Sequence, residues 1–448
     1  MQISKKEPII LFLGDVIVLY VSLFLMLFLI GPGIPDGNAI SVHLLPFTLL
    51  FLVWLFTFFI AGLYEKHTVI LKNQLPNTLL NTQITNSFIA VLFFYLIPYF
   101  GIAPKTNLFI CIVISFALLI FWRVYLFNKM NFAPRRRALL IGSGTEMEAL
   151  KNEVNNNSRY DIIFADSVNL DDIKEAYLLN TLAEKFNAAD YSVVVIDLKH
   201  KSIRKILGEI FSIFEHKIEI IDKHTMYEEI FDRVSISMIG YEWFLENISL
   251  SPKLTYDGVK RLTDFLLAFI LGAPSLLFVL MSIPLIKLDS RGSAFYKQAR
   301  VGQDGNIFEV IKLRTMEKAH RGQEVLGGEN KITTVGKYLR RFRIDELPQL
   351  WNVLKGDLSL IGPRPEIPEL VEVYEKEIPY YGIRHFIKPG LSGWAQIHQD
   401  APPKFGTKLN DTATKLSYDL YYIKNRSFML DMKIALRTIK TLLMRSGM

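Results

Sequence analysis

Two adjacent carboxylates, Asp345 and Glu346, follow three arginines (Arg340, Arg341 and Arg343) and precede Pro348. A carboxylate among guanidinium groups stays ionised and suits two chemistries: nucleophilic attack on phosphorus, or ligation of a hard divalent cation. Aspartate is a preferred N-cap and proline is tolerated in a first helical turn. The apolar run through Leu350, Trp351, Val353 and Leu354 therefore predicts a helix that begins at Asp345. Downstream, Pro363 and Pro365 bracket Arg364 and restrict the backbone that presents it, and arginine is the side chain suited to bidentate phosphate binding. Lys312 and Arg314 stand two residues apart, so on a strand they share one face and can reach one anion. Lys388-Pro-Gly390 and Ser392-Gly-Trp394 form a turn-rich segment whose glycines permit close backbone approach to a phosphate or nucleotide. The same features also describe a capped helix with a solvated basic flank, so position must decide between the two.

The elements that must do the positioning begin in lipid. The chain has 448 residues, enough for two or three domains, and half of them are hydrophobic. Four long apolar runs occupy the first 130 residues, at about 8–30, 44–64, 85–104 and 107–128, each near the length that crosses a bilayer. Lys5 and Lys6 precede the first run, no Lys or Arg lies between Gly31 and His43, and Arg135, Arg136 and Arg137 follow the fourth. By the positive-inside rule both ends of this four-helix transmembrane bundle (1–130) are cytoplasmic. The net charge of +7 fits cytoplasmic loops and phosphate ligands, and no basic run interleaved with aromatics indicates nucleic acid. One cysteine, Cys111, excludes a disulfide framework, and the eight histidines form no metal-spaced cluster.

A small Rossmann-like α/β domain is expected at 131–224. Ala138–Gly142, Tyr160–Ala165, Ser192–Ile196 and Ile218–Asp222 read as strands with helical stretches between them. Its glycine signature, Gly142-Ser-Gly144, lacks a third glycine because Met147 stands there. Asp166 lies at a suggestive distance, but no NAD is expected. Residues 225–257 read as a connecting segment. A fifth apolar run at 262–286 is interrupted by Gly272-Ala-Pro274, and basic residues flank it on both sides: Lys260 and Arg261 before, Lys287 and Arg291 after.

From about Tyr256 to the C-terminus the sequence resembles the bacterial sugar transferase family, the monotopic phosphoglycosyl transferases that start glycan and exopolysaccharide assembly. The resemblance rests on Lys260-Arg-Leu-Thr-Asp264, Gln298-Ala-Arg-Val-Gly302, Phe308–Met316, Asp345-Glu-Leu-Pro-Gln-Leu350, Gly362-Pro-Arg-Pro365, Lys388–Gln396 and Tyr418-Asp-Leu-Tyr-Tyr422. It implies a mainly α catalytic domain at 258–448, anchored by a re-entrant helix-break-helix at 260–287 with Pro274 as the break. It further implies transfer of a sugar-1-phosphate from a UDP-sugar to polyprenyl (undecaprenyl) phosphate, releasing UMP. In that scheme Asp345 is the nucleophile, and Glu346 with Asp345 holds Mg²⁺, with Mn²⁺ as substitute. Lys312, Arg314, Arg340, Arg364 and Lys388 would bind phosphate, with Pro363, Pro365 and Asp419 as further site candidates.

The same resemblance implies the bacterial inner membrane, a cytoplasmic catalytic face, the lipid bilayer and downstream glycosyltransferases as partners, and no nucleic acid; it leaves homo-oligomers open. The C-terminal stretch Phe428–Met444, with Lys433, Arg437 and Lys440, reads as a basic amphipathic helix on the membrane or as a packing helix. Two rival readings remain. One is a membrane-anchored nucleotide-sugar epimerase or dehydratase, on the strength of Tyr256-x-x-x-Lys260. The other is a non-catalytic scaffold for polysaccharide assembly.

Overall fold

A computed structural model of the chain describes residues 6–31, 33–64, 75–96, 104–127, 135–157, 160–213, 218–236, 240–248, 254–317, 332–398 and 409–443. It divides into two compact units, Met1–Lys223 and His224–Met448.

In the first unit, four helices precede a small sheet. Helices α1 (Lys6–Ile30), α2 (Gly37–Ile60), α3 (Leu75–Leu96) and α4 (Pro104–Ile120), the last prolonged by a π turn at Phe121–Leu126, pack around Leu19, Met26, Phe47, Leu50, Trp54 and Phe58. Their outward faces carry exposed Leu13, Ile17, Leu52, Phe88 and Phe109, the pattern of a bundle surrounded by lipid. Four described helices are long and apolar enough to span a bilayer: Ile9–Ile30, Gly37–Ile60, Thr106–Leu126 and Thr255–Asp289. Of the expected third span, 85–104, residues 97–103 lie outside the described residues. Helix α3 begins ten residues earlier, at Leu75, and is not among those four.

The reason is chemical. Helix α3 is inverted, with Thr82, Gln83 and Asn86 buried in the bundle and Ile84, Phe88 and Tyr95 facing out. Gln83 donates to Ser115 Oγ at 3.0 Å, Thr57 donates to Asn86 Oδ1, and Trp54 Nε1 donates to the Asn86 carbonyl at 3.1 Å. Interhelical amide and hydroxyl bonds of this kind hold helices together where apolar burial cannot. Two charges lie among these helices as well. Arg123 of the π turn pairs with Asp15 of α1, donates to the Leu63 carbonyl at 3.0 Å, and lies 5.2 Å from the Tyr64 ring centroid, while the Tyr64 hydroxyl donates to Asp15 at 2.6 Å.

Strands β1 (Arg136–Gly142), β2 (Ile162–Asn169), β3 (Val193–Ile196) and β4 (Glu219–Asp222) form a parallel sheet in the order β2-β1-β3-β4. Helices α5 (Thr145–Asn156) and α6 (Glu175–Ala188) connect the first three strands. The glycine turn after β1 is filled from within. A Cβ on Gly142 would stand 2.8 Å from the Lys223 side chain, which pairs with Asp197 at 2.7 Å and donates to the Ser143 carbonyl at 3.2 Å. Asp166 is engaged by Lys185 at 2.5 Å.

The second unit is built on one long helix, α7 (Leu254–Asp289). The break expected at Pro274 is not a gap, because the helix continues through Pro274 and Pro284. Asp264, Ala268, Ser275, Val279, Ser282 and Ile286 make one buried stripe on α7, while Leu266, Phe269, Ile270, Leu277, Phe278 and Met281 are exposed. Strands β5 (Phe295–Val301) and β6 (Ile307–Leu313) form an antiparallel ribbon, followed by α8 (Thr334–Arg341) and α9 (Gln349–Lys355). Short parallel strands β7 (Ser359–Ile361) and β8 (Gly390–Ser392) come next, then α10 (Leu409–Asn425) and α11 (Phe428–Leu443). Both halves of α7 pack on this layer: Ala268 with Leu350, Val353 and Leu358, and Val279 and Ile286 with Leu313 and Leu339. Polar anchors fix its two ends. Arg261 donates to the carbonyls of Val353 and Leu354 at 2.6 and 2.7 Å, and Asp289 accepts from the Val335 amide at 2.8 Å.

The basic groups of α11 turn inward. The Lys433 ammonium lies 4.7 Å from the Trp394 ring centroid, and Arg437 contacts His398 Nε2 at 2.6 Å, so α11 is a packing helix on that face. Lys440 lies outside the described side chains.

Removing one partner of a buried ion pair strands the other charge, at a cost of about 3–5 kcal/mol. Arg123→Leu should therefore sharply lower the yield of monodisperse protein on detergent gel filtration, and adding Asp15→Leu should restore most of it. Equal yields for the single variant and the parent protein would mean that the pair does not hold the bundle.

Candidate active site

The dyad sits on a strained turn. Asp345 does not cap a helix as expected; it lies inside a 3₁₀ turn, Ile344–Glu346, and α9 starts only at Gln349, after Pro348. Proline removes an amide at the point where the turn would run on into the helix. Arg343 enters the turn in the left-handed region (φ 53°, ψ 24°), a conformation that costs a non-glycine residue about 1–3 kcal/mol. Its amide donates to the Arg340 carbonyl at 3.2 Å, and its guanidinium lies 3.6 Å from Glu346 Oε2.

Three cations converge on Glu346. Arg364 donates to Oε1 at 2.8 Å, Lys312 lies 3.7 Å from the same oxygen, and Arg343 faces Oε2. Burial opposes ionisation of Glu346, but Arg364 and Lys312 outweigh it and draw the carboxyl down to about 2. Asp345 moves the other way. Burial and the adjacent Glu346 charge push it up to about 6, against the pull of Lys312 and Arg340. The dyad is thus one permanent anion beside one that ionises just below neutrality. Burial also lowers the Lys312 ammonium, although Glu346 opposes the shift.

Each cation is held from behind. The Asn352 amide donates to the Glu309 carbonyl at 2.8 Å and its oxygen accepts from the Ile311 amide, which fixes the β6 edge next to Lys312. Arg340 Nε donates to Thr315 Oγ1 at 2.9 Å. Arg364 rides on a loop whose carbonyls are tied down in turn. Pro363 O accepts from the Gly390 amide at 2.9 Å, Arg364 O from Arg384 at 2.7 Å, and Pro365 O from Arg300 at 3.1 Å. Glu366 O accepts from the Val301 amide at 2.9 Å, and the Glu366 side chain pairs with Arg300 and Lys415. Arg300, Arg384, Glu366 and Lys415 escaped the sequence reading. Arg300 stood there only as part of the Gln298-Ala-Arg-Val-Gly302 motif, with no role attached.

Two expected phosphate ligands, Arg314 and Lys388, and the further candidate Asp419 are placed elsewhere. Arg314 is buried and donates to the Ser290 and Arg291 carbonyls at 2.7 and 3.0 Å, fastening the chain just after α7. It lies beyond the end of β6, so its spacing from Lys312 does not bring both to one face. Asp419 is also buried and binds Arg384 at 2.9 Å, so it positions the Arg364 loop rather than meeting a ligand. Lys388 lines a cavity of about 450 Å³ that none of Asp345, Glu346, Lys312 or Arg364 lines. The glycines near it serve chain contact. A Cβ on Gly390 would stand 2.1 Å from the Gly362 amide nitrogen, and one on Gly393 would stand 2.4 Å from the Gly362 oxygen. Tyr256 and Lys260, the pair behind the epimerase reading, both bind Asp431 at 2.8 Å.

For the expected Mg²⁺, both Glu346 oxygens already face cations, and no group of three metal-ligating side chains exists among the described residues. Such a donor set fits a hard ion only as the carrier of a ligand's own phosphate oxygens, which is how Mg²⁺ commonly binds.

Asp345 is more readily ionised unfolded than folded, so its charge costs stability as pH rises from about 4 to about 6 and above. Asp345→Asn should accordingly raise Tm at pH 7.5 by about 2–4 °C, with little change at pH 4. A drop in Tm at neutral pH would contradict this electrostatic account.

The sequence profile of bacterial sugar transferases matches residues 255–445. The chain is 43% identical over 202 residues to a UDP-N-acetylgalactosamine-undecaprenyl-phosphate N-acetylgalactosaminephosphotransferase of Aeromonas hydrophila, covering 44% of this chain and 47% of that protein. It is 39% identical over 196 residues to a UDP-glucose:undecaprenyl-phosphate glucose-1-phosphate transferase of Caulobacter vibrioides, covering 43% and 72%. An uncharacterized sugar transferase of Bacillus subtilis is 38% identical over 191 residues, covering 42% of this chain and 89% of its own length. The match thus spans about half the length of the Aeromonas relative. With its second unit matched in this way, the chain belongs to the bacterial sugar transferase family.

Proposed function

We propose that the chain transfers a sugar-1-phosphate from a UDP-sugar to polyprenyl phosphate, with Asp345 as the covalent carrier. The observation that carries this reading is that Arg364, Lys312 and Arg343 converge on Glu346, which leaves the adjacent Asp345 as the less acidic carboxyl of the two. A less acidic carboxylate is the better nucleophile, and at pH 7 Asp345 is still mostly ionised. In the first step an Asp345 oxygen attacks the sugar-bearing phosphorus, and the bond to UMP breaks. In the second step an oxygen of polyprenyl phosphate attacks the same phosphorus, Asp345 leaves as carboxylate, and polyprenyl-diphosphate sugar forms. Neither step needs a proton acceptor, because both nucleophiles and both leaving groups are oxyanions. Arg364, Lys312 and Arg340 offset the charge that builds on the phosphoryl oxygens, the main task in such transfers. Glu346 holds Arg364 and Lys312 in place. Relatives at 43% and 39% identity are named for different sugars, so the sugar does not follow from family membership.

Donor alone should release up to one equivalent of UMP and leave a phospho-sugar mass on the peptide containing Asp345. Asp345→Asn should abolish both, and the rate should fall as pH drops through about 6. An adduct on Glu346, or sequential kinetics with no adduct, would reassign the dyad.

Mg²⁺, or Mn²⁺ in its place, is proposed to enter on the donor's diphosphate near Asp345 and Glu346, where it would neutralise phosphate charge. Chelation should stop UMP release and added Mg²⁺ should restore it; full turnover in excess EDTA would remove the ion from the scheme.

We also propose that α7 enters and leaves one leaflet, with the catalytic unit on the cytoplasmic face of a bacterial inner membrane. Support comes from the anchors at Arg261 and Asp289, which tie both ends of α7 to one layer. A straight helix of this length would separate its ends by about 54 Å. Cysteines placed at Thr255 and Ser290 in a Cys111→Ser background should react with an impermeant reagent from the same side. Labelling from opposite sides would make α7 a true span.

A further inference from the structure

A cavity of about 450 Å³ with both charged and apolar side chains in its wall opens against the first turns of α7. Most charges around it are already engaged. Lys260 is held by Asp431, Arg261 by two carbonyls, and Asp264 by Ser359 and the Leu360 amide. Lys388 and Asp304 line the same space with no ion pair or hydrogen bond to any described residue. An apolar cleft of about 180 Å³ adjoins it, sharing Lys260, Asp264 and Ile361 as common wall, and continues between Leu267 of α7 and Phe428 and Met432 of α11. Next to that cleft α7 exposes Leu262, Phe265 and Leu266, the start of its apolar surface.

A chamber with an uncommitted cation, adjoining an apolar cleft at the foot of a membrane helix, has the layout of an amphiphile: a head and a chain. None of Asp345, Glu346, Lys312 or Arg364 lines either space, so phosphorus bound there is not the phosphorus that reacts. We propose that the two adjoining cavities together hold one non-reacting glycerophospholipid of the surrounding bilayer, its phosphate on Lys388 and its acyl chain between α7 and α11. Asp304 accepts a hydrogen bond from a hydroxyl or ammonium of the head. Free phosphate would leave the apolar cleft unfilled, and a plain hydrocarbon would leave Lys388 without a counter-charge. The lipid pins the N-terminal end of α7 at the height of the headgroups. The inference rests on α7 meeting the bilayer and is independent of whether sugar phosphate is transferred.

The full chain in mild detergent doped with phosphatidylglycerol, examined by native mass spectrometry, tests this. The parent protein should retain one phosphatidylglycerol through activation that strips the detergent. Lys388→Glu and Met432→Asp should each cut the retained fraction at least tenfold. Met429→Asp should not, because Met429 is 74% exposed on the same helix and lies outside the cleft. Undiminished retention in both cavity variants would overturn the proposal. So would one-for-one displacement of the phospholipid by polyprenyl phosphate, which would assign the cavities to the acceptor.

Discussion

The site depends on one shared carboxylate. Glu346 accepts Arg364 at 2.8 Å and keeps Lys312 and Arg343 within 4 Å, so three like charges stay together that would otherwise repel. Its own proton is lost first, and that loss makes the neighbouring Asp345 harder to ionise. A basic phosphate-binding group and a tuned carboxylate therefore arise from the same contact. The left-handed Arg343 belongs to this arrangement: its strain places the charged residues of the turn side by side, and its guanidinium closes the cluster.

Behind this layer, backbone holds what side chains present. The Arg364 loop is fixed by its carbonyls, and the strands beneath it touch so closely that glycine is required at Gly390 and Gly393. Rigid support of this kind keeps a guanidinium within the few tenths of an ångström that phosphate recognition demands. The buried Asp419–Arg384 pair extends the support to α10.

Much of this was legible in the residues, and the misses have physical causes. Asp345, Glu346 and Arg364 stood out as charges beside prolines, and Lys312 by its spacing on a strand; the fold brings Lys312 and Arg364 onto Glu346. Arg314, Asp419 and Lys388 looked alike on paper. Charge says nothing of whether a group meets a ligand or a carbonyl, and Arg314 meets carbonyls. Asp345 was read as ionised from the arginines nearby in sequence; burial and Glu346, which the sequence does not show, raise it to about 6, so it is still mostly ionised at pH 7 but not far from titrating. Among the helices, hydropathy found α1, α2 and α4, while α3 starts at Leu75, before the apolar run at 85, because its first turns bury amides and hydroxyls instead of apolar groups. The Pro274 segment read as an interruption, yet helix persists through it, as neighbouring groups can accommodate a proline in an apolar setting.

Helix α3 also bears on how the protein is made. Gln83 donates to Ser115 of α4, and Asn86 accepts from Thr57 of α2 on its side chain and from Trp54 of α2 on its carbonyl. Released alone into hydrocarbon, such a segment would carry unmet donors costing several kcal/mol, so it gains a lasting place only once a neighbour is beside it. Hydrogen bonding thus makes α3 dependent on both neighbours: α2 and α4 each meet one of its two amide side chains, so the segment is at home in the membrane only as part of the bundle.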